Sequence, residues 1–209
     1  MAKVFSVDPQ KPPPEIIKAA VSVLRGGGVV ALPTETYYGL AVDPFSESAV
    51  QRLFRLKKRP QEKPILLLLG SREMLIQVVA EIPPWAERLM EYFWPGPLTL
   101  VFKARQDLPR SLTAGTDTVA VRLPSHLLPI RLSQGFSKPI TGTSANLSGG
   151  PPATRAEEVE RIFPEVDLVL DGGKSPGGLP STIVSVVNFP PRLIRPGKIP
   201  WEEIRSLAE

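Results

Sequence analysis

Cysteine is absent from all 209 residues, and histidine occurs once, at His126. The first absence excludes disulfides and thiolate metal sites. The second excludes any multi-histidine site of the His-Glu-x-x-His kind. A metal, if one is used, must be held by oxygen atoms, a chemistry that suits magnesium. No apolar run reaches the roughly 18 residues that a membrane span needs. The opening stretch Met1-Ala2-Lys3-Val4-Phe5-Ser6 lacks the apolar core and cleavage site of a signal peptide, so the expected location is cytoplasmic. Familiar nucleotide fingerprints are missing too. Gly172-Gly173-Lys174-Ser175 ends like a phosphate loop, but the first glycine of that motif would fall at Leu168, inside a predicted strand. Gly26-Gly27-Gly28 follows a helix and precedes a strand, the reverse of a dinucleotide-binding turn, and reads as a helix C-cap. There is no Gly-x-Ser-x-Gly elbow, and no histidine near a serine pair to build a triad.

What is present is a chain long enough to bury about 70% of its unfolded surface without staples. No repeat, low-complexity tract or linker divides it, so a single domain over residues 1–209 is expected. The net charge of +4 suits an anionic partner without showing one. Apolar periodicity predicts helices over Glu15–Arg25, Ser46–Lys57 and Pro84–Phe93, then from a cap at Ser125 to Leu132. A capping box, Thr154-Arg155-Ala156-Glu157, predicts a helix to Phe163, and Trp201–Leu207 closes the chain with another. Apolar runs predict strands at Val29–Leu32, Ile65–Leu69, Leu98–Phe102, Thr118–Arg122, Pro139–Thr143, Val166–Leu170, Thr182–Val187 and Leu193–Arg195. Helices alternate with strands, but several strands follow one another directly. That pattern points to an α/β fold, a twisted mixed open sheet covered by helices.

The candidate chemistry sits at strand ends. Leu56-Lys57-Lys58-Arg59-Pro60-Gln61-Glu62-Lys63-Pro64 places four cations between a helix and a core strand. Fixed cations at the mouth of a sheet can grip a polyphosphate; a basic helix end complementing the dipole is the plainer alternative. Pro33-Thr34-Glu35-Thr36-Tyr37-Tyr38-Gly39-Leu40 follows the first core strand, where α/β sheets bind ligands, and one of its tyrosines should be core. Arg122 ends a strand before Pro124, placed either to clamp a carboxylate or to form a structural ion pair. Thr141-Gly142-Thr143-Ser144-Ala145-Asn146-Leu147-Ser148-Gly149-Gly150 offers hydroxyls, an amide and backbone N–H groups to phosphate or ribose, and such loops also serve as plain turns. Ser181-Thr182 and Arg195-Pro196-Gly197 repeat the theme. His126 reads as a helix-start residue.

Taken in order, Pro-Thr-Glu-Thr-x-Tyr-Gly-Leu, Lys-x-Arg-Pro-x-x-Lys-Pro, Trp-Pro-Gly-Pro-Leu-Thr, Val-Ala-Val-Arg, Ser-Ala-Asn-x-Ser-Gly, Asp-Gly-Gly, Ser-Thr-x-Val and Arg-Pro-Gly resemble the YrdC/Sua5 family of threonylcarbamoyl-AMP synthases. The resemblance covers Val29 to Ile199, and the end soon after Arg-Pro-Gly resembles the short form without a C-terminal Sua5 domain. It implies a YrdC-like domain with a large basic cavity. It implies an adenylate-forming nucleotidyltransferase that makes L-threonylcarbamoyladenylate and pyrophosphate from L-threonine, bicarbonate or CO2 and ATP. The product would feed threonylcarbamoyladenosine formation in tRNA through a downstream transferase complex. By the same resemblance Lys57 and Arg59 are the catalytic cations. Lys57, Arg59, Lys63, Thr118, Ser144, Asn146 and Arg195 would bind ATP. Thr34, Thr36, Arg122, Thr143, Ser181 and Thr182 would bind threonine, with Arg122 on its carboxylate. Mg2+ would be held mainly through ATP, with no protein metal site. The chain departs from the family pattern at Leu68, where many relatives have histidine, at Tyr37 for valine, at Thr143 for proline, and at Leu179-Pro180.

Positioning and charge offset can supply most of the rate of such a reaction, which fits a site rich in Lys, Arg, Ser and Thr without a histidine. Two other readings remain open on the residues. One is a double-stranded RNA-binding module, in which an amino-acid pocket would be idle. The other is a YrdC-like carbamoyl-adenylating domain, as in hydrogenase maturation proteins, with another substrate.

Overall fold

In the computed structural model, which describes residues 2–60, 62 and 64–208, the chain forms eleven strands and seven α-helices among the described residues. Lys63 lies outside the described residues. The order is β1 (Lys3–Ser6), α1 (Pro14–Arg25), β2 (Val30–Pro33), β3 (Tyr38–Ala41), α2 (Glu47–Lys57) and β4 (Leu67–Leu68). A 3-10 turn (Arg72–Gln77), α3 (Pro84–Phe93), β5 (Leu98–Lys103), α4 (Arg110–Thr113), β6 (Thr118–Arg122) and α5 (Leu127–Phe136) follow. The remainder is β7 (Ile140–Thr141), β8 (Thr143–Ser144), α6 (Ala156–Ile162), β9 (Leu168–Asp171), β10 (Thr182–Ser185), β11 (Arg192–Arg195) and α7 (Trp201–Ala208).

Local chemistry sets most boundaries. Proline in the first turn opens α1 and α3, where a missing N–H does no harm. The Ser46 hydroxyl accepts from the Ala49 N–H and caps α2. α5 starts later than the Ser125 cap predicts, because the His126 ring takes that role: its Nδ1 accepts from the Leu128 N–H at 3.2 Å. At α6 the predicted capping box shifts by one residue. Glu158, not Glu157, reaches back to the Thr154 N–H (2.7 Å) and the Arg155 N–H (3.3 Å). The predicted strand Ile65–Leu69 is regular only at Leu67–Leu68. Its flanks stay paired to other parts of the chain, Ile65 N–H to the Leu112 carbonyl and Leu69 N–H to the Arg122 carbonyl.

The strands divide into two mixed sheets. One runs β1-β9-β2-β3-β8 and the other β11-β10-β5-β6-β4-β7. The segment Ile140–Ser144 joins them, since β7 pairs antiparallel with β4 and β8 pairs antiparallel with β3. Gly142 is the pivot. A Cβ there would lie 2.4 Å from Leu68 Cγ, so only glycine lets the strand cross so close to β4. Thr141 strengthens the crossing by accepting from the Val42 N–H through its hydroxyl (2.9 Å). Helices α1 and α5 pack together over one apolar core with β2 and β9, while α2, α3, α6 and α7 cover the other. Among the described residues no helix is long and apolar enough to cross a membrane.

Candidate active site

The divergence of the two sheets at Gly142 leaves a cavity of about 560 Å³. The β2–β3 turn, the segment after α2, β6, β8 and the β10–β11 pair all contribute to its wall. Arg59, Arg122 and Arg195 line it, and no carboxylate does among the described residues. Apolar side chains such as Leu66, Val101, Ile183 and Ile194 supply much of the remaining wall. A cavity of this size, apolar with a few convergent cations and hydroxyls, suits an anionic small molecule better than a bare metal cation.

On the cavity wall the β2–β3 turn is locked by a threonine. The Thr34 hydroxyl donates to the Tyr37 carbonyl (2.8 Å), accepts from the Thr36 N–H (3.1 Å) and lies 3.0 Å from the Thr36 hydroxyl. Both hydroxyls are buried and face the cavity. The Arg122 side chain is only 4% exposed, and its NH1 stands 3.4 Å from Glu35 Oε1. Burial lowers the Arg122 pKa, and the Glu35 carboxylate opposes that shift. Ser181 holds its hydroxyl 2.9 Å from that of Thr99, while Arg195 NH2 donates to the Ser181 carbonyl (2.7 Å) and hydroxyl (3.2 Å).

Beside this turn the loop after β8 supplies more of the wall, its Ala145 N–H donating to the Tyr38 carbonyl at 2.8 Å. Ser144 lines the cavity and donates its hydroxyl to Asn146 Oδ1 at 2.6 Å. Beneath the loop lies Lys57, 1% exposed, whose ammonium donates to the Ser144 carbonyl and to the Asn146 carbonyl (2.6 Å). Burial, and then the neighbouring Arg59 cation, push the Lys57 pKa down to about 7. Arg59 lines the cavity and donates from NH2 to the Pro64 carbonyl at 2.8 Å.

The sequence profile of one family, described as Telomere recombination and labelled Sua5_yciO_yrdC, matches residues 22–197. The chain belongs to the Sua5/YciO/YrdC family. It is 42% identical over 192 residues to the threonylcarbamoyl-AMP synthase of Pyrococcus abyssi, covering 91% of this chain and 56% of that protein. The same-named protein of Klebsiella pneumoniae is 40% identical over 173 residues, covering 82% of this chain and 91% of the relative. The crystal structure of Pyrococcus abyssi Sua5 complexed with L-threonine superposes with a TM-score of 0.93 at 40% identity, over 98% of this chain and 60% of that one. The chain thus spans somewhat over half the length of the Pyrococcus relative. The YrdC-like α/β fold expected from the sequence is therefore shown.

Within this Sua5/YrdC domain the cavity brings together Thr34, Thr36, Arg59, Thr118, Arg122, Thr143, Ser144, Ser181 and Arg195, all named as candidates from sequence. Three described candidates stand elsewhere. Lys57 lies under the loop rather than on the cavity wall. Asn146 spends its amide inside the loop, donating to the Leu147 and Gly150 carbonyls. Thr182 faces away because alternate residues of a strand face opposite sides. Ser181 and Ile183 face the cavity, whereas the Thr182 hydroxyl is consumed by the Ile199 backbone, at 2.7 Å to its carbonyl and 3.0 Å from its N–H. Lys58 is exposed, turned out by a left-handed conformation at the end of α2. Of the two tyrosines, Tyr38 is the core one, with its hydroxyl on the Gly173 carbonyl (2.7 Å). Tyr37, which the sequence places in the β2–β3 turn without a substrate role, lines the cavity and donates to the Gly178 carbonyl. Its place in the Pro-Thr-Glu-Thr turn was the available signal.

Proposed function

We propose that this protein makes threonylcarbamoyl-AMP and pyrophosphate from L-threonine, bicarbonate or CO2, and ATP. The observation that supports this reading best is one cavity that gathers two unlike sets of groups, assigned in this reading as its amino-acid end and its phosphate end. A buried arginine among hydroxyls suits an amino-acid carboxylate, and Arg59 beside the Ser144 loop suits a triphosphate. The Pyrococcus abyssi Sua5 structure is a complex with L-threonine, and both named relatives are threonylcarbamoyl-AMP synthases.

In this reading the deprotonated amine of threonine adds to CO2 and gives a carbamate. A carbamate oxygen then forms a bond to the α-phosphorus of ATP as the bond to pyrophosphate breaks. Arg122 anchors the amino-acid carboxylate. Arg59 and Ser144 hold the phosphates, and Lys57 acts by fixing the loop that bears Ser144. Thr118 and Arg195 contact the nucleotide. Thr34, Thr36, Thr143 and Ser181 surround the amino acid. Mg2+ enters on the oxygens of ATP, the hard ligands it prefers. Charge offset and alignment of carbamate with phosphate carry the catalysis, as is usual for phosphoryl transfer. A cytoplasmic transferase complex that moves the threonylcarbamoyl group to tRNA is the partner this product implies. An RNA clamp would leave the buried amino-acid end without use.

The test is pyrophosphate release from MgATP and bicarbonate with threonine, serine or valine. The expected order of kcat/KM is threonine, serine, valine. Serine lacks one methyl, worth about 1–3 kcal/mol, while valine leaves buried hydroxyls unpaired. Release that ignores the amino acid would refute the assignment.

A further inference from the structure

The turn that aims Thr34 and Thr36 at the cavity sends the residue between them to the other side. Glu35 does not line the cavity; its carboxylate stands behind Arg122, with the two side chains 12% and 4% exposed. Neither Glu35 oxygen has a hydrogen-bond partner, and neither does Arg122 Nε, although all three atoms are buried. Buried polar groups without partners are rare enough to need a reason. A buried ion pair as loose as 3.4 Å is a poor reason, because desolvation offsets most of its attraction.

The other charges around this pair narrow the choice. Arg195 approaches from β11, and its pKa is lowered by partial burial and then by the Arg122 cation. His126 approaches from the start of α5, with Nδ1 already accepting from Leu128. Burial lowers its pKa against the pull of Glu35, so it faces the pair as a neutral ring. The cluster thus holds two arginines and one carboxylate. With Arg195 assigned to the nucleotide, Glu35 is the carboxylate left to hold Arg122.

We propose that Glu35 is the positioning residue of the amino-acid end: it holds the Arg122 guanidinium at the cavity wall. This rests on Arg122 being the carboxylate anchor of the proposed function. Glu35 touches no substrate. It links the turn bearing Thr34 and Thr36 to the arginine, so the parts of the pocket that read hydroxyl and carboxylate keep a fixed spacing.

The experiment compares the whole protein with Glu35→Gln, Arg122→Gln and the double variant, by thermal melting and by steady-state kinetics. Glu35→Gln should melt below wild type, because it leaves a buried cation alone. The double variant should melt above it, because both charges are gone. The KM for L-threonine should rise about tenfold in Glu35→Gln through lost orientation. The KM for ATP should stay within about twofold, and the double variant should bind threonine no worse than Arg122→Gln alone. Glu35→Asp, which keeps the charge on a shorter arm, should fall between wild type and Glu35→Gln, and it carries the test if the glutamine variant does not fold. A threonine KM that is unchanged or lower in Glu35→Gln would overturn the proposal, since Glu35 would then be idle or competing with substrate for Arg122. Additive losses in the double variant would overturn it as well. A wild type indifferent to threonine would instead sink the proposed function, and the melting comparison would still decide whether Glu35 holds Arg122.

Discussion

Lys58 and Arg59 are neighbours in sequence with opposite surroundings. Lys58 is exposed at the end of α2, while Arg59 lines the cavity. Arg59→Ala should therefore lower kcat/KM by an amount on the order of 2–4 kcal/mol in transition-state stabilisation, with an unchanged melting curve. Lys58→Ala should be close to neutral in both. Pyrophosphate-release kinetics and a melting curve on each variant check this, and a large loss in Lys58→Ala alone would mean the wrong cation was chosen. Lys57 behaves differently because it is buried. Its pKa falls from an ordinary 10.5 to about 7, so at pH 8 a large share of it is neutral in the ligand-free protein. A triphosphate beside it favours the charged form and raises that pKa. ATP binding at pH 8 should thus take up protons, seen by calorimetry in buffers of different ionisation enthalpy. Lys57→Met should abolish the uptake and also lower the melting temperature, since the Ser144 and Asn146 carbonyls lose their donor. Equal uptake in Lys57→Met would remove Lys57 from the phosphate end.

Among the elements, the segment just after β11 packs against the start of β10 with no room for a side chain. A Cβ on Gly197 would lie 2.4 Å from the Pro180 carbonyl oxygen and 2.5 Å from the Thr182 nitrogen, both backbone atoms that cannot step aside. Gly197→Ala should push Ser181 away from Arg195, destabilise the fold by about 1–3 kcal/mol and raise the threonine KM. Gly26→Ala, whose added Cβ meets nothing closer than 3.5 Å, is the control expected to change neither. Normal threonine use by Gly197→Ala would show that the wall tolerates displacement. The same elements show what a sequence can reveal. Long periodic segments such as α1, α2, β5 and β6 were legible because one apolar face is buried along their whole length. β1 was not: three of its four residues are exposed, so no apolar run marks it. β3 was hidden inside a motif read as a ligand-binding strand end, although all four of its residues are buried. The split of Pro139–Thr143 into β7 and β8 depends on Leu68 across the sheet, a contact that local pattern cannot carry. At the site, the residue types were legible but their facing was not. Thr182 and Ser181 differ only by strand alternation, and Lys57 and Arg59 only by which side of a helix end they leave.

For the whole molecule, two mixed sheets held together at a glycine crossing leave one cavity lined by three arginines and buried hydroxyls. The proposed reaction needs little covalent chemistry from the protein: alignment of a carbamate oxygen with a phosphorus, and cations around the leaving group, would carry it. The central claim is that both ends act on one molecule. It is tested most directly by incubating the intact protein with MgATP, L-threonine and carbon-13 bicarbonate, and identifying the nucleotide product by mass spectrometry. The account predicts an AMP ester that contains threonine and carries the carbon-13 label, formed together with pyrophosphate. Threonine adenylated without the label, or ATP cleaved to the same extent when threonine is left out, would contradict it.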